Sequence, residues 1–184
     1  RDFKPLLTDL EEALTELSTT VEADTVDRIQ TKAFEVIEAM ECDAVARQDV
    51  YDGAREHLET IAASDAQLAV ATNNTRGAAQ SAIENAGFPQ PDVLVAVDDV
   101  GRPKPHPDML EMVANQCDST PESIVMIGDR ESDAQSAYEA FENTNISITT
   151  ILINNDSTGE VVDHTVPSIV DAFKYIEIFG VPSP

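Results

Sequence analysis

Ile124-Val125-Met126-Ile127-Gly128-Asp129-Arg130-Glu131-Ser132-Asp133 is the stretch whose reading decides the fold. Ile124 to Ile127 is apolar on both faces and rich in β-branched residues, the pattern of a strand buried in a parallel sheet. The C-terminal ends of such strands are where open α/β sheets place their ligands. Gly128 lets the backbone turn sharply there. Asp129 and Asp133 then bring two carboxylates to that edge, which suits a hard cation such as Mg²⁺. Taken alone, the same loop also reads as an ordinary strand-to-helix turn, with Asp133 facing solvent or capping a helix.

Two companion segments favour the chemical reading. Leu68-Ala69-Val70-Ala71 is a second short apolar run, ending in Thr72-Asn73-Asn74. Gly101-Arg102-Pro103-Lys104-Pro105-His106-Pro107 is a proline-stiffened loop carrying one of only four lysines in the chain. A hydroxyl at one strand tip, a lysine on a rigid loop and paired carboxylates at another tip make a phosphate-and-metal site.

In this order, the three segments resemble motifs II, III and IV of the haloacid dehalogenase-like (HAD) hydrolases, over roughly Tyr51 to the C-terminus. The resemblance implies a Rossmann-like parallel sheet with helices on both faces. It also implies a Mg²⁺-dependent phosphatase acting on a small phosphorylated metabolite, of the phosphoglycolate phosphatase-like kind. In that family an aspartate attacks phosphorus and the aspartyl-phosphate is then hydrolysed by water. By the same resemblance Asp129 and Asp133 are metal-site acids, Asp133 holding a metal-bound water or orienting its neighbours. Thr72 and Asn73 are phosphate-binding, the second through a backbone N–H at a helix start. Lys104 is the cation that offsets charge on phosphate and nucleophile. His106 shapes the loop, His57 and His164 are structural, and Arg130 either touches substrate or pairs with nearby acids. A phosphomutase, a dehalogenase or a non-catalytic HAD-like binding protein are the rival readings.

One family motif is not legible. The nucleophile stands in a DxDx[TV] motif after the first strand, and the nearest approach here is Asp9-Leu10-Glu11-Glu12-Ala13. Pro5 breaks any strand before it, and Ala13 replaces the hydroxyl residue. Leu6, Leu10, Leu14, Leu17 and Val21 recur at helical spacing instead. A central strand ending in Asp-x-Asp is therefore expected before Arg1.

Composition narrows the classes. Apolar residues make up 42% of the 184, enough for a core. Net charge is −24, from 35 acidic and 11 basic residues spread along the whole chain. That sign disfavours nucleic acid and anionic membranes as partners. Acid this dense, with lysine scarce, resembles the proteins of halophilic archaea. In molar salt the Debye length is about 3 Å, so self-repulsion is screened. The melting temperature should accordingly rise between dilute and molar KCl, and a flat or falling profile would assign the acidic excess another cause. Cys42 and Cys117 have no metal spacing and read as buried thiols of a reducing cytoplasm, with a single disulfide as the lesser alternative. No run reaches the length of a membrane span. A monomer or a homodimer fits equally.

Residues 1–48 read as a helical, cap-like pair, from Phe3 to about Leu17 and again from Asp24, with Val26, Ile29, Ala33, Val36, Ile37 and Met40 on one face. Residues 49–184 alternate helix and strand, as βαβ units do. Strands are expected at about 67–71, 93–97, 124–127 and 148–153. Helices are expected at about 53–61, 76–85, 107–116, 132–140 and 167–178.

Overall fold

A computed structural model describes residues 10, 13–118, 120–154 and 159–176. Residue 10 and residues 13–18 are helical. Asp9, with the rest of the segment before Leu10, lies outside the described residues. Helix α1 spans Ala23–Val45 and α2 spans Ala54–Ala62. The order then becomes β1 Ala69–Ala71, α3 Arg76–Ala86, β2 Val93–Val95, α4 Asp108–Gln116, β3 Ser123–Gly128, α5 Glu131–Phe141, β4 Ser147–Ile153, β5 His164–Val166 and α6 Ile169–Ile176. The fold is α/β, with every strand pair parallel. β1 pairs with β2 (Ala69 opposite Val93), β3 with β4 (Ile127 opposite Ile151), and β4 with β5 (Ile153 opposite Val166). Among the described residues no ladder joins the β1–β2 sheet to the β3–β4–β5 sheet.

The strand period of two assigns side chains to two layers. Ile124 and Met126 of β3 point to one face, where Val93, Val95, Met109, Leu110, Val113, Ala137 and Phe141 form the larger core between sheet and helices α4 and α5. Val125 and Ile127 point to the other face, with Ile151, Ile153, Val166 and Ala172. There the His57 ring of α2 stacks on Phe173 of α6 at 4.7 Å, and Nδ1 of His57 is 2.7 Å from the Gly53 carbonyl oxygen. His164 lies against Tyr175. Both histidines are thus packed into structure, as expected.

The run that decides the fold is not the most buried strand. Ile124 to Gly128 are all half-buried, whereas Ile151 and Leu152 of β4 are 0% and 1% exposed. The reason is pairing. β4 has a partner on each side, while β3 has one only among the described residues. β2 is also shorter than expected. Its run gives way to a 3-10 turn, Val97–Asp99, because the Asp99 carboxylate accepts the Ala96 N–H at 2.7 Å and bends the chain back. β5 was not anticipated, since three residues with two polar ones carry little strand signal.

Helix ends follow the local chemistry. Thr75 caps α3, accepting the Ala78 N–H, and Gly87 closes it at φ 63°. A side chain is disfavoured at that angle. A Cβ there would also sit 2.6 Å from a guanidinium nitrogen of Arg55, whose side chain bonds the Ala86 carbonyl. Gly87→Ala should cost about 1 kcal/mol or somewhat more in chemical denaturation.

Helix α1 departs from its expected face. Ile37 is buried, but Ile29, Val36 and Met40 are 39%, 55% and 47% exposed. The helix begins at Ala23 with Glu22 as cap residue and Asp24 in its first turn, so Asp24 is not the cap. Its inward stripe is Ile37, Glu41 and Val45, one residue per turn, and it packs on α3. No described helix is long and apolar enough to cross a membrane.

Candidate active site

The tips of β1 and β3 meet at Lys104. Its Nζ donates to the Ala71 carbonyl at 2.7 Å and to Oδ1 of Asp133 at 2.6 Å. Both side chains are 8% exposed. One ammonium therefore spans from the last residue of β1 to the first turn of α5. Three expected residues, Lys104, Asp133 and the Thr72 that follows Ala71, are brought together in this way.

Asp133 is fully engaged. Oδ1 takes the ammonium and Oδ2 accepts the Arg130 N–H at 3.1 Å. Its Cβ and Cγ lie 2.6 and 2.7 Å from where a Cβ on Gly128 would stand. Glycine is required there by this close approach, more than by the turn itself. The sequence reading gave Asp133 a metal-site role, holding a metal-bound water or orienting its neighbours; in the structure its carboxylate is the counter-ion of Lys104. Asp129 stands exposed at the end of β3, and Arg130 is exposed beside it.

Thr72 continues the β1–β2 pairing through its N–H to the Val95 carbonyl at 2.9 Å. Its hydroxyl accepts the Asn74 N–H at 3.1 Å, closing a tight turn. Asn73 uses its side chain on the lysine loop. Nδ2 donates to the Lys104 carbonyl and Oδ1 accepts the Lys104 N–H, both at 3.0 Å. This two-point clamp fixes the backbone of Lys104, so that the ammonium reaches Asp133 from a set origin. The expectation for Asn73 was a backbone donor at a helix start. However, α3 begins three residues later, and its first donors are already taken. Thr75 N–H goes to Oε2 of Glu41 at 2.8 Å and Arg76 N–H to Oδ1 of Asp98 at 2.9 Å. The anions that a helix N-terminus favours are here carboxylates of the chain itself.

Glu41 was missed by sequence reasoning. The signal was available, because Glu41 falls in phase between Ile37 and Val45 on the buried stripe. His106 is exposed, and its N–H bonds the Pro103 carbonyl at 3.0 Å, within the loop turn it was expected to shape. Cys42 and Cys117 are free, half-buried thiols.

Parallel α/β layering with a buried lysine bridging the β1 tip and the first turn of α5 does not by itself name a family, and comparison places it. A family model for haloacid dehalogenase-like hydrolases matches residues 4–140. The chain belongs to that family. It is 33% identical over 84 residues to the pyrophosphatase PpaX of Halalkalibacterium halodurans, covering 45% of this chain and 39% of that protein. It is 30% identical over 99 residues to a phosphoglycolate phosphatase of Rhodospirillum rubrum, covering 53% and 41% respectively. The chain thus spans about two fifths of the length of these curated relatives. A crystal structure of a hydrolase from Pseudomonas syringae superposes with TM-score 0.63 at 19% identity, covering 92% of this chain and 77% of that one. At that identity the likeness concerns the fold.

Proposed function

We propose that the protein is a phosphatase of small phosphorylated metabolites, of the phosphoglycolate phosphatase-like kind, using Mg²⁺ and an aspartyl-phosphate route. The observation that carries this reading is the Lys104 ammonium, held at one point between the Thr72 tip and the Asp133 turn. A cation fixed in a buried setting is where negative charge on a transferring phosphoryl group is best offset. The Thr72 hydroxyl, at the neighbouring tip, only accepts in its contact with the Asn74 N–H, so its proton is left to donate to a phosphoryl oxygen. Asn73 keeps Lys104 in register.

Asp129 is the residue that would hold the metal. Among the described residues no three His, Cys, Asp or Glu side chains cluster as metal ligands. An exposed carboxylate fits Mg²⁺ all the same, because this ion keeps several waters and takes further ligands from substrate phosphate. When bound, it would supply Lewis-acid stabilisation of the phosphoryl oxygens. Asp133 serves the site through Lys104. The attacking aspartate of the route is not among the described residues around Lys104.

A panel of phosphoglycolate, pyrophosphate, sugar phosphates and a chromogenic phosphate ester tests the reading. It is run on the whole gene product with Mg²⁺ in molar KCl. Turnover of at least one phosphomonoester, lost with EDTA, is expected. Absence of turnover across the panel would favour a non-catalytic binding protein, and isomerised sugar phosphate would favour a mutase.

A further inference from the structure

Glu41 is a buried carboxylate with no cation beside it in the described ion pairs. It is 5% exposed, and Thr75, its partner, is 1% exposed. Both the N–H and the hydroxyl of Thr75 donate to the same oxygen, Oε2, at 2.8 Å each. Burying a carboxylate costs several kcal/mol unless it is well bonded. A helix N-terminus offsets part of that cost, but an apolar residue at this position on α1 would avoid it. Glu38, one turn earlier, also reaches the start of α3. Its Cδ lies 2.6 Å from where a Cβ on Gly77 would stand. Helix α1 thus holds the first turn of α3 through the Glu41 carboxylate as well as by packing.

The gripped turn is continuous with the site. Thr75 ends the turn that Thr72 closes through Asn74. Asn73, inside that turn, clamps the backbone of Lys104. Lys104 binds Asp133, which accepts from Arg130 N–H beside Asp129. One chain of bonds therefore runs from α1 to the tip of β3.

We infer that Glu41 is a positioning residue: by anchoring Thr75 it sets the Thr72–Asn74 turn, and through Asn73 the placement of Lys104. The inference rests on the phosphatase reading for its kinetic test, and on nothing beyond the bonds above for its structural test.

Two measurements on the whole protein examine it. In steady-state kinetics, Glu41→Ala should lower kcat/KM for the best phosphomonoester about tenfold, mostly in kcat, within the range that coupled networks carry. Glu41→Gln keeps an oxygen that can accept both Thr75 bonds and should stay within about twofold of the parent. Thr75→Ala should reproduce the loss, and the double variant should be no worse than either single one. Ile37→Ala, on the same buried stripe but without a bond to the turn, should lower the melting temperature and leave kcat and KM unchanged below it. In amide hydrogen exchange, Glu41→Ala should speed exchange at Lys104, far from Glu41 in sequence, and leave Ile151 and Leu152 protected. Full kcat/KM in folded Glu41→Ala, or unchanged exchange at Lys104, overturns the inference. If the parent shows no turnover, the exchange arm alone decides on Glu41, and the phosphatase reading fails separately.

Discussion

Replacing Lys104 by methionine is expected to produce the largest single loss in this protein, in stability and in activity together. The ammonium and the Asp133 carboxylate are both 8% exposed. Methionine fills similar volume but leaves Asp133 charged, buried and held only by the Arg130 N–H. Breaking a buried pair from one side costs about 3–5 kcal/mol. The Ala71 carbonyl also loses its donor, at about 1–3 kcal/mol if no water replaces it. Urea unfolding at fixed salt reads the sum. A double variant, Lys104→Met with Asp133→Leu, should recover much of the stability because no orphan charge remains. It should recover none of the turnover, which falls by roughly a hundredfold or more when a group opposite developing charge is removed. A single variant as stable as the parent would show that solvent reaches this pair.

Gly128→Ala is expected to come second. The added methyl would stand 2.6 Å from Cβ and 2.7 Å from Cγ of Asp133. Asp133 lies in the first turn of α5, so its Cβ moves only if the helix moves. Overpacking of this kind costs about 1–3 kcal/mol, and displacement of the carboxylate would loosen its hold on Lys104. Gly77→Ala is the informative contrast. There the added methyl meets the outer end of the flexible Glu38 side chain, which can swing aside at little cost. Thermal melts of the two variants side by side should separate them clearly. Equal shifts would mean that α5 slides more easily than its packing on β3 and β4 implies.

How much of this was legible beforehand depends on the range of the forces involved. β3, β4, α3 with its Gly87 terminus, α4 and α5 all follow from local pattern and end signals, and they fall within a residue or two of expectation. Thr72, Lys104 and Asp133 do lie near one another, as strand tips of a parallel sheet sharing one edge suggest. What the sequence did not reveal was the bonding partner of each group within the chain. A spacing of four between Asp129 and Asp133 suggests a shared ion, yet does not reveal that a lysine 29 residues earlier also bonds the second acid. Asn73 was given a role for its backbone, when its side chain mimics a strand partner for Lys104. For α1 the periodicity rule assumed that charge faces water. Glu41 breaks that assumption because the Thr75 N–H and hydroxyl at the start of α3 offer two donors at the same spot, while Ile29, Val36 and Met40 lie outside the buried stripe.

The Lys104–Asp133 pair has a kinetic consequence for a chain of net charge −24. Because the buried ammonium is already neutralised by its neighbour, it projects almost no attraction into solvent. An anionic ester diffusing toward the β1 and β3 tips then meets a long-range potential dominated by the excess of acidic residues, with the exposed Arg130 as a local exception. Such long-range repulsion slows encounter in dilute buffer and vanishes beyond a few ångströms in concentrated salt. Ionic strength would then act on capture as well as on folding: a brine would lower the barrier to arrival, while the chemistry after arrival stays in the hands of a lysine the solvent scarcely touches.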